Sequence, residues 1–382
     1  MNRKQFMLAL VSLAVLTGLG WGITHWQRSS YQVADARVGT KLLEGFKVDD
    51  VAQIEIVDPK ETLTLIRGER GWSVKERGGY PADVEPIRRL LLRLEELKVV
   101  QAEALTDALK PRMQLVAPGS GAKPDETGTL VDLKGRDGKS IARLVLGKKI
   151  TRDSPMPGLG ASVPSGRYVW LAADPQRMNI VAEPFSSVQA RADQWLPRDY
   201  LKAERLKSVS ITGPDGKERW TIVRDKEADG WRWTAPGKLD GGKAQDAASA
   251  LYSMQIADAA TGVNDADAGL DKPVIARAQT FDGWTYEVRI GKPAPEGRYY
   301  VKSVVAGTIP ESRSAGADEK PDDKEKLDKA FAERKEQAAA KLEREKGVGA
   351  FTVLVPKSAV EPLLRERAAL VAAEKKEELR KK

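Results

Sequence analysis

Apolar and polar residues alternate early in the chain, with Ile54 and Ile56, then Leu63 and Leu65, each two positions apart. A period of two marks half-buried strands, because successive side chains leave opposite faces of a pleated ribbon. Gly71-Trp-Ser-Val74 predicts a third strand. The period then changes. Ile87, Leu90, Leu91, Leu94 and Leu97 recur at spacings of three and four, which gathers them on one face of a helix. Asp83 stands at the N-cap position, and Pro86 is tolerated in the first turn. Further strands are predicted over residues 128–133, 140–147, 167–171 and 178–182, and a short helix over 184–190.

The same order returns in the second half. Val209 and Ile211 answer Ile54 and Ile56, and Asp240 answers Asp83. Ala244, Ala248, Leu251 and Met254 answer Ile87, Leu91, Leu94 and Leu97 at one constant offset. Residues 286–292 answer 144–148, 298–301 answer 167–170, and 355–360 answer 183–188. Matches in the same order along the whole length indicate a duplication. The expected fold class is α+β: two tandem modules, each an antiparallel sheet covered by an amphipathic helix, after an N-terminal transmembrane helix. The expected boundaries are 1–26 for the cytoplasmic start and anchor, 27–47 for a tether, 48–200 for the first module and 201–382 for the second. The second module carries a charged helical insertion at about 307–349, and a final helix is expected from Ala359 to about Arg380.

The anchor rests on residues 6–23, which hold no charge and follow Arg3 and Lys4. That length is near the lower limit for crossing a bilayer. Trp21 and Trp26 suit an interfacial belt, and the basic start favours a cytoplasmic N-terminus. A cleaved signal peptide is the competing reading, but no small-x-small site directly follows the apolar run. The expected location is therefore the bacterial inner membrane, single-pass, with most of the chain periplasmic.

Composition narrows the chemistry. The 382 residues contain no cysteine and one histidine, His25, inside the N-terminal segment. Disulfides, thiolate sites, His-ligated zinc and Ser-His-Asp triads are thus excluded from the rest of this chain. The 63 basic residues are interleaved with 55 acidic ones, so the net charge of +8 forms no stripe for nucleic acid. Ser120 and Lys123 have the spacing of a penicillin-binding pair, but Gly121 and Pro124 place them in a loop. Gly158-Leu-Gly160 has no helix after it to serve as a phosphate-binding turn. No catalytic residue, cofactor or metal is expected. Trp72 and Trp231 read as core plugs, and Trp231, Trp233 and Trp284 as an alternative carbohydrate-stacking platform. Within the insertion, Leu327, Phe331, Ala338 and Leu342 form a thin apolar stripe, and Phe331 is the candidate partner-binding residue.

Gly71-Trp72, the Tyr80-Pro-Ala-Asp83 turn into a Leu-rich helix, the Leu146-Gly147 strand end and Arg167-Tyr-Val169 together resemble the domain of unknown function 4340 family. The resemblance implies a membrane-tethered auxiliary component of ABC-type export or gliding-associated systems, with no site residues to carry over. The expected function is a non-enzymatic accessory or scaffold protein of an envelope transport assembly, with an ABC-type transporter as the partner. The alternative is a glycan-binding or polymer-hydrolysing protein using carboxylates between the modules.

Overall fold

The computed structural model describes residues 37–119, 121–152, 162–234, 236–313 and 321–372. In chain order the strands of the first half are β1 Gln53–Val57, β2 Thr62–Gly68, β3 Gly71–Val74, β4 Tyr80–Pro81, β5 Val99–Ala104, β6 Thr129–Lys134, β7 Ser140–Arg152, β8 Val163–Leu171 and β9 Asp174–Val181. Helix α1, Val84–Glu96, follows β4, and the single-turn α2, Leu109–Arg112, follows β5. The second half holds β10 Asp199–Leu201, β11 Leu206–Thr212, β12 Glu218–Val223 and β13 Arg232–Trp233, then α3 Gly241–Tyr252. After it come β14 Met254–Gln255, β15 Asp258–Ala259, α4 Asp265–Ala268, β16 Val274–Thr280, β17 Thr285–Ala294 and β18 Arg298–Ala306. The chain closes with α5 Pro321–Gly349, β19 Val353–Pro356, α6 Lys357–Leu364 and α7 Arg367–Leu370.

Two compact units result: residues 1–67 with 85–191, and residues 68–84 with 192–382. In the first, seven strands run in the order β2-β1-β6-β7-β8-β9-β5. In the second, seven corresponding strands run β12-β11-β16-β17-β18-β19-β15, with β13 beyond β12 at the edge. The strand order is therefore the same in both. Ile54, Ile56, Leu63 and Leu65 are at most 1% exposed, as are Val209 and Ile211. The α1 face of Ile87, Leu90, Leu91 and Leu94 is buried too, each side chain contributing about 1.5–3 kcal/mol. Segment 68–84 goes with the second unit: the Arg77 guanidinium makes two hydrogen bonds to Asp258, at 2.6 and 3.0 Å. The Tyr80 ring meets Phe351 edge-on at 5.1 Å.

The α+β expectation is corrected. Strand makes up 37% of the structure and helix 27%, so the fold is mostly antiparallel β. Sheet was missed where it carries little apolar signal. β5 has one buried residue in six, because it is an edge strand bonded on one side only to β9. β7 continues past its apolar run through Lys148–Arg152, where Ile150 is the one apolar residue. Residues 184–190, expected as helix, form an irregular turn in which Phe185 has a φ of +47°. The expected final helix is broken after Leu364, where Arg365 and Glu366 are extended, and residues beyond 372 lie outside those described.

The membrane assignment is corrected as well. Among the described residues no helix is long and apolar enough to cross a membrane. The one long helix, α5, is crowded with Lys, Glu, Asp and Arg. Residues 6–23, on which the single-pass inner-membrane location was read, lie outside the described residues, so that location has no structural support.

Candidate functional site

The second unit differs most from the first between its last two long strands. In the first unit, β8 and β9 are joined by Ala172 and Ala173 alone. In the second, the chain leaves β18 at Ala306 and returns at Val353, with α5 in between. Long insertions in surface loops cost little, since closure entropy grows only with the logarithm of length. What α5 contributes is a wall.

Burial increases along this helix toward its C-terminal end. Leu327 is 43% exposed, Phe331 and Ala338 are half-buried, and Leu342 and Val348 are buried. At the seated end, Gly349 lies so close to strand β18 that an added Cβ would stand 2.6 Å from the Ser303 carbonyl oxygen. Toward the other end, Arg313 from the preceding loop bonds Asp328 at 2.6 Å.

Between α5, the loop 307–310 and the β16–β17 turn lies a cleft of about 860 Å³. The turn presents Phe281 and Asp282 and closes through Gly283, whose φ of +81° suits glycine. The Thr280 hydroxyl accepts a hydrogen bond from the Trp284 backbone N–H at 3.0 Å and stiffens the turn. Trp284 is only 8% exposed; Gly307 packs so closely that an added Cβ would stand 2.6 Å from the indole. Lys341 lies 5.5 Å over the same ring and pairs with Glu204 at 2.7 Å. Phe331, Phe281, Ile309 and Pro310 give the cleft its apolar lining. Arg334 and Lys335 add positive charge at its edge.

Behind the cleft, Glu345 is fully buried. Its carboxylate accepts from the Tyr286 hydroxyl at 3.0 Å, the Lys202 backbone N–H at 3.1 Å and Arg344 at 3.2 Å. Burial pushes this carboxyl above the ordinary glutamate range, against the pull of Lys341, these hydrogen bonds and Arg344. Burial also raises Tyr286, helped by the Glu345 charge, and it raises Tyr200, whose hydroxyl accepts from Ser303 at 2.9 Å. Tyr80 is raised by burial too, and its hydroxyl meets no partner among the described residues. Glu345, Tyr200 and Tyr80 are 0% exposed, so these groups meet no solute; Glu345, bonded to Tyr286 and Lys202, seats α5 on the sheet.

The sequence placed Phe331 correctly on a helix but did not single out Glu345. The signal was present: Glu345 continues the stripe of Ala338 and Leu342 at helical spacing and precedes Val348 by three. Trp72 and Trp231 are half-buried rather than core plugs; Trp231 stacks on the Arg224 guanidinium at 4.7 Å and donates to Gln245 at 3.2 Å. Trp233 and Trp284 are buried, which removes the stacking platform read from the sequence. Ser120 and the Gly158–Gly160 turn lie outside the described residues. Compared with protein-family models, curated proteins and solved structures, the chain finds no match.

Proposed function

We propose that the protein is a non-enzymatic scaffold that docks a partner protein in the cleft beneath α5, with Phe331 as the apolar contact. The observation that carries this reading is the replacement of a two-residue turn by a helix that holds a half-buried aromatic over an open cleft. Half-buried aromatics set in a concave surface are the usual anchors of protein interfaces. The accessory role in an ABC-type transport assembly implied by the family resemblance fits such a scaffold, with a transporter subunit as the partner.

The test is co-purification with the full chain carrying Phe331→Asp, beside the wild type and Leu327→Asp. The partner recovered with wild type should be retained by Leu327→Asp and lost with Phe331→Asp at unchanged melting temperature. Equal recovery with all three chains contradicts docking through this cleft.

A further inference from the structure

The cleft carries cations that the fold itself leaves unanswered. Arg205 is committed to Glu227 and Asp282, and Lys341 to Glu204. Among the described residues Arg334 reaches the Ala330 carbonyl alone, at 3.1 Å on its own helix, and Lys335 the Glu311 carbonyl alone, at 3.2 Å. Among the described residues neither meets a carboxylate, and both are exposed. Their positions, three and four residues after Phe331, put them within a turn of it on the helix.

A second observation concerns the opposite wall. The backbone groups of Thr308 and Ile309 belong to no strand or helix and meet no hydrogen-bond partner among the described residues. Unpaired main-chain donors and acceptors beside an apolar pocket are what an extended peptide uses when it adds itself to a protein edge. A small amphipathic anion would leave them unused.

We infer that the occupant of the cleft is a segment of a partner protein in which an apolar side chain is flanked by acidic residues. This rests on the docking reading above and names its chemistry. The apolar side chain packs between Phe331 and Phe281. The flanking carboxylates reach Arg334 and Lys335, and the peptide backbone pairs with Thr308 and Ile309. Charge sets which segments are accepted and apolar contact holds them.

The experiment is fluorescence anisotropy of labelled ten-residue peptides with the full chain. One peptide carries Leu-Phe between Asp and Glu residues, one carries Leu-Phe between Lys residues, and one is acidic with Ser in place of Leu-Phe. The acidic Leu-Phe peptide should bind at least ~10-fold tighter than either control and weaken with added salt. Arg334→Glu with Lys335→Glu should reverse the preference between the acidic and basic peptides. Equal binding of both, or an unchanged preference in the double variant, overturns the inference. Decanoate that displaces the peptide and binds as tightly also overturns it, marking a small-anion site instead. If no peptide binds but Phe331→Asp still abolishes co-purification, the docking reading stands and this one falls. If both fail, the docking reading falls too.

Discussion

The two units share a strand order but differ in how they close one hairpin, and the difference shows what was added to the duplicated fold. In the first unit the β8–β9 connection is Ala172-Ala173, and at the opposite end of that hairpin, where Arg167 faces Val181, a buried guanidinium ties β7 to the segment that follows β9. Arg167 is 7% exposed and donates to the carbonyls of Gly147, Leu146, Pro184 and Phe185 at 2.8 to 3.3 Å. Burial lowers its pKa to about 10, against the pull of Asp58. Among the described residues its counterpart in the second unit, Arg298, bonds the Pro295 carbonyl and the exposed Glu296 alone. There the polar anchor sits elsewhere, at Glu345 under α5. The first copy uses its buried charge to lock the irregular turn after β9, and the second uses its own to seat an arm.

The largest expected effect breaks this comparison at the arginines. Arg167→Met leaves four carbonyls without their donor and should cost about 3 kcal/mol in urea unfolding. Arg298→Met loses a bond to an exposed carboxylate and should cost less than about 1 kcal/mol. Similar losses at both sites would mean that the two arginines hold their units to the same degree.

Next comes Glu345→Ala, which strips the Lys202 N–H of its acceptor, leaves the Tyr286 hydroxyl the longer 3.3 Å bond to the Lys202 carbonyl, and should cost about 2 kcal/mol. Glu345→Gln should be far milder and should change the pH dependence. A carboxyl raised in the folded state binds a proton there that the unfolded chain has already lost. Its contribution to stability therefore falls as pH rises from the ordinary glutamate value to the raised one. Subtracting the stability profile of the Glu345→Gln variant from that of wild type should leave that downward slope. A flat difference would show that Glu345 titrates as an ordinary carboxylate.

The smallest effect concerns the paired helices. Asp240 caps α3 by accepting from the N–H groups of Gly242 and Lys243 at 3.0 and 3.2 Å. Asp240→Ala should cost about 1 kcal/mol by thermal unfolding. α3 buries mainly Ala244, Ala247 and Ala248 where α1 buries leucines, so it has less apolar area to offset the loss. A cost near zero would show that packing against α6 alone fixes its start.

The parts of this fold that were legible in the sequence are those where burial leaves a period. Ile54 and Ile56 in β1, and Ile87 through Leu94 in α1, each face one way and declare it. β5 was illegible because an edge strand needs no apolar face, and the end of β7 because its residues 149–152 run past β6 and pair with β8 on one side. That is why the sheet was underestimated. The turn at Phe185, expected as part of a short helix over 184–190, is illegible because a positive φ leaves no mark in composition. At the site, Phe331 stood out as an aromatic in a charged run. Glu345 did not, because one acid among many becomes special only when Tyr286 and Lys202, distant in sequence, close over it.

The most direct test of the docking arm is photo-crosslinking in intact cells from a benzoylphenylalanine placed at position 331, compared with one at position 172 on the short turn of the first unit. Position 331 should give one discrete adduct that disappears when Arg334 and Lys335 are both changed to Glu, and position 172 should give none. Adducts of equal yield at both positions, or an adduct at 331 indifferent to those charges, would contradict the account.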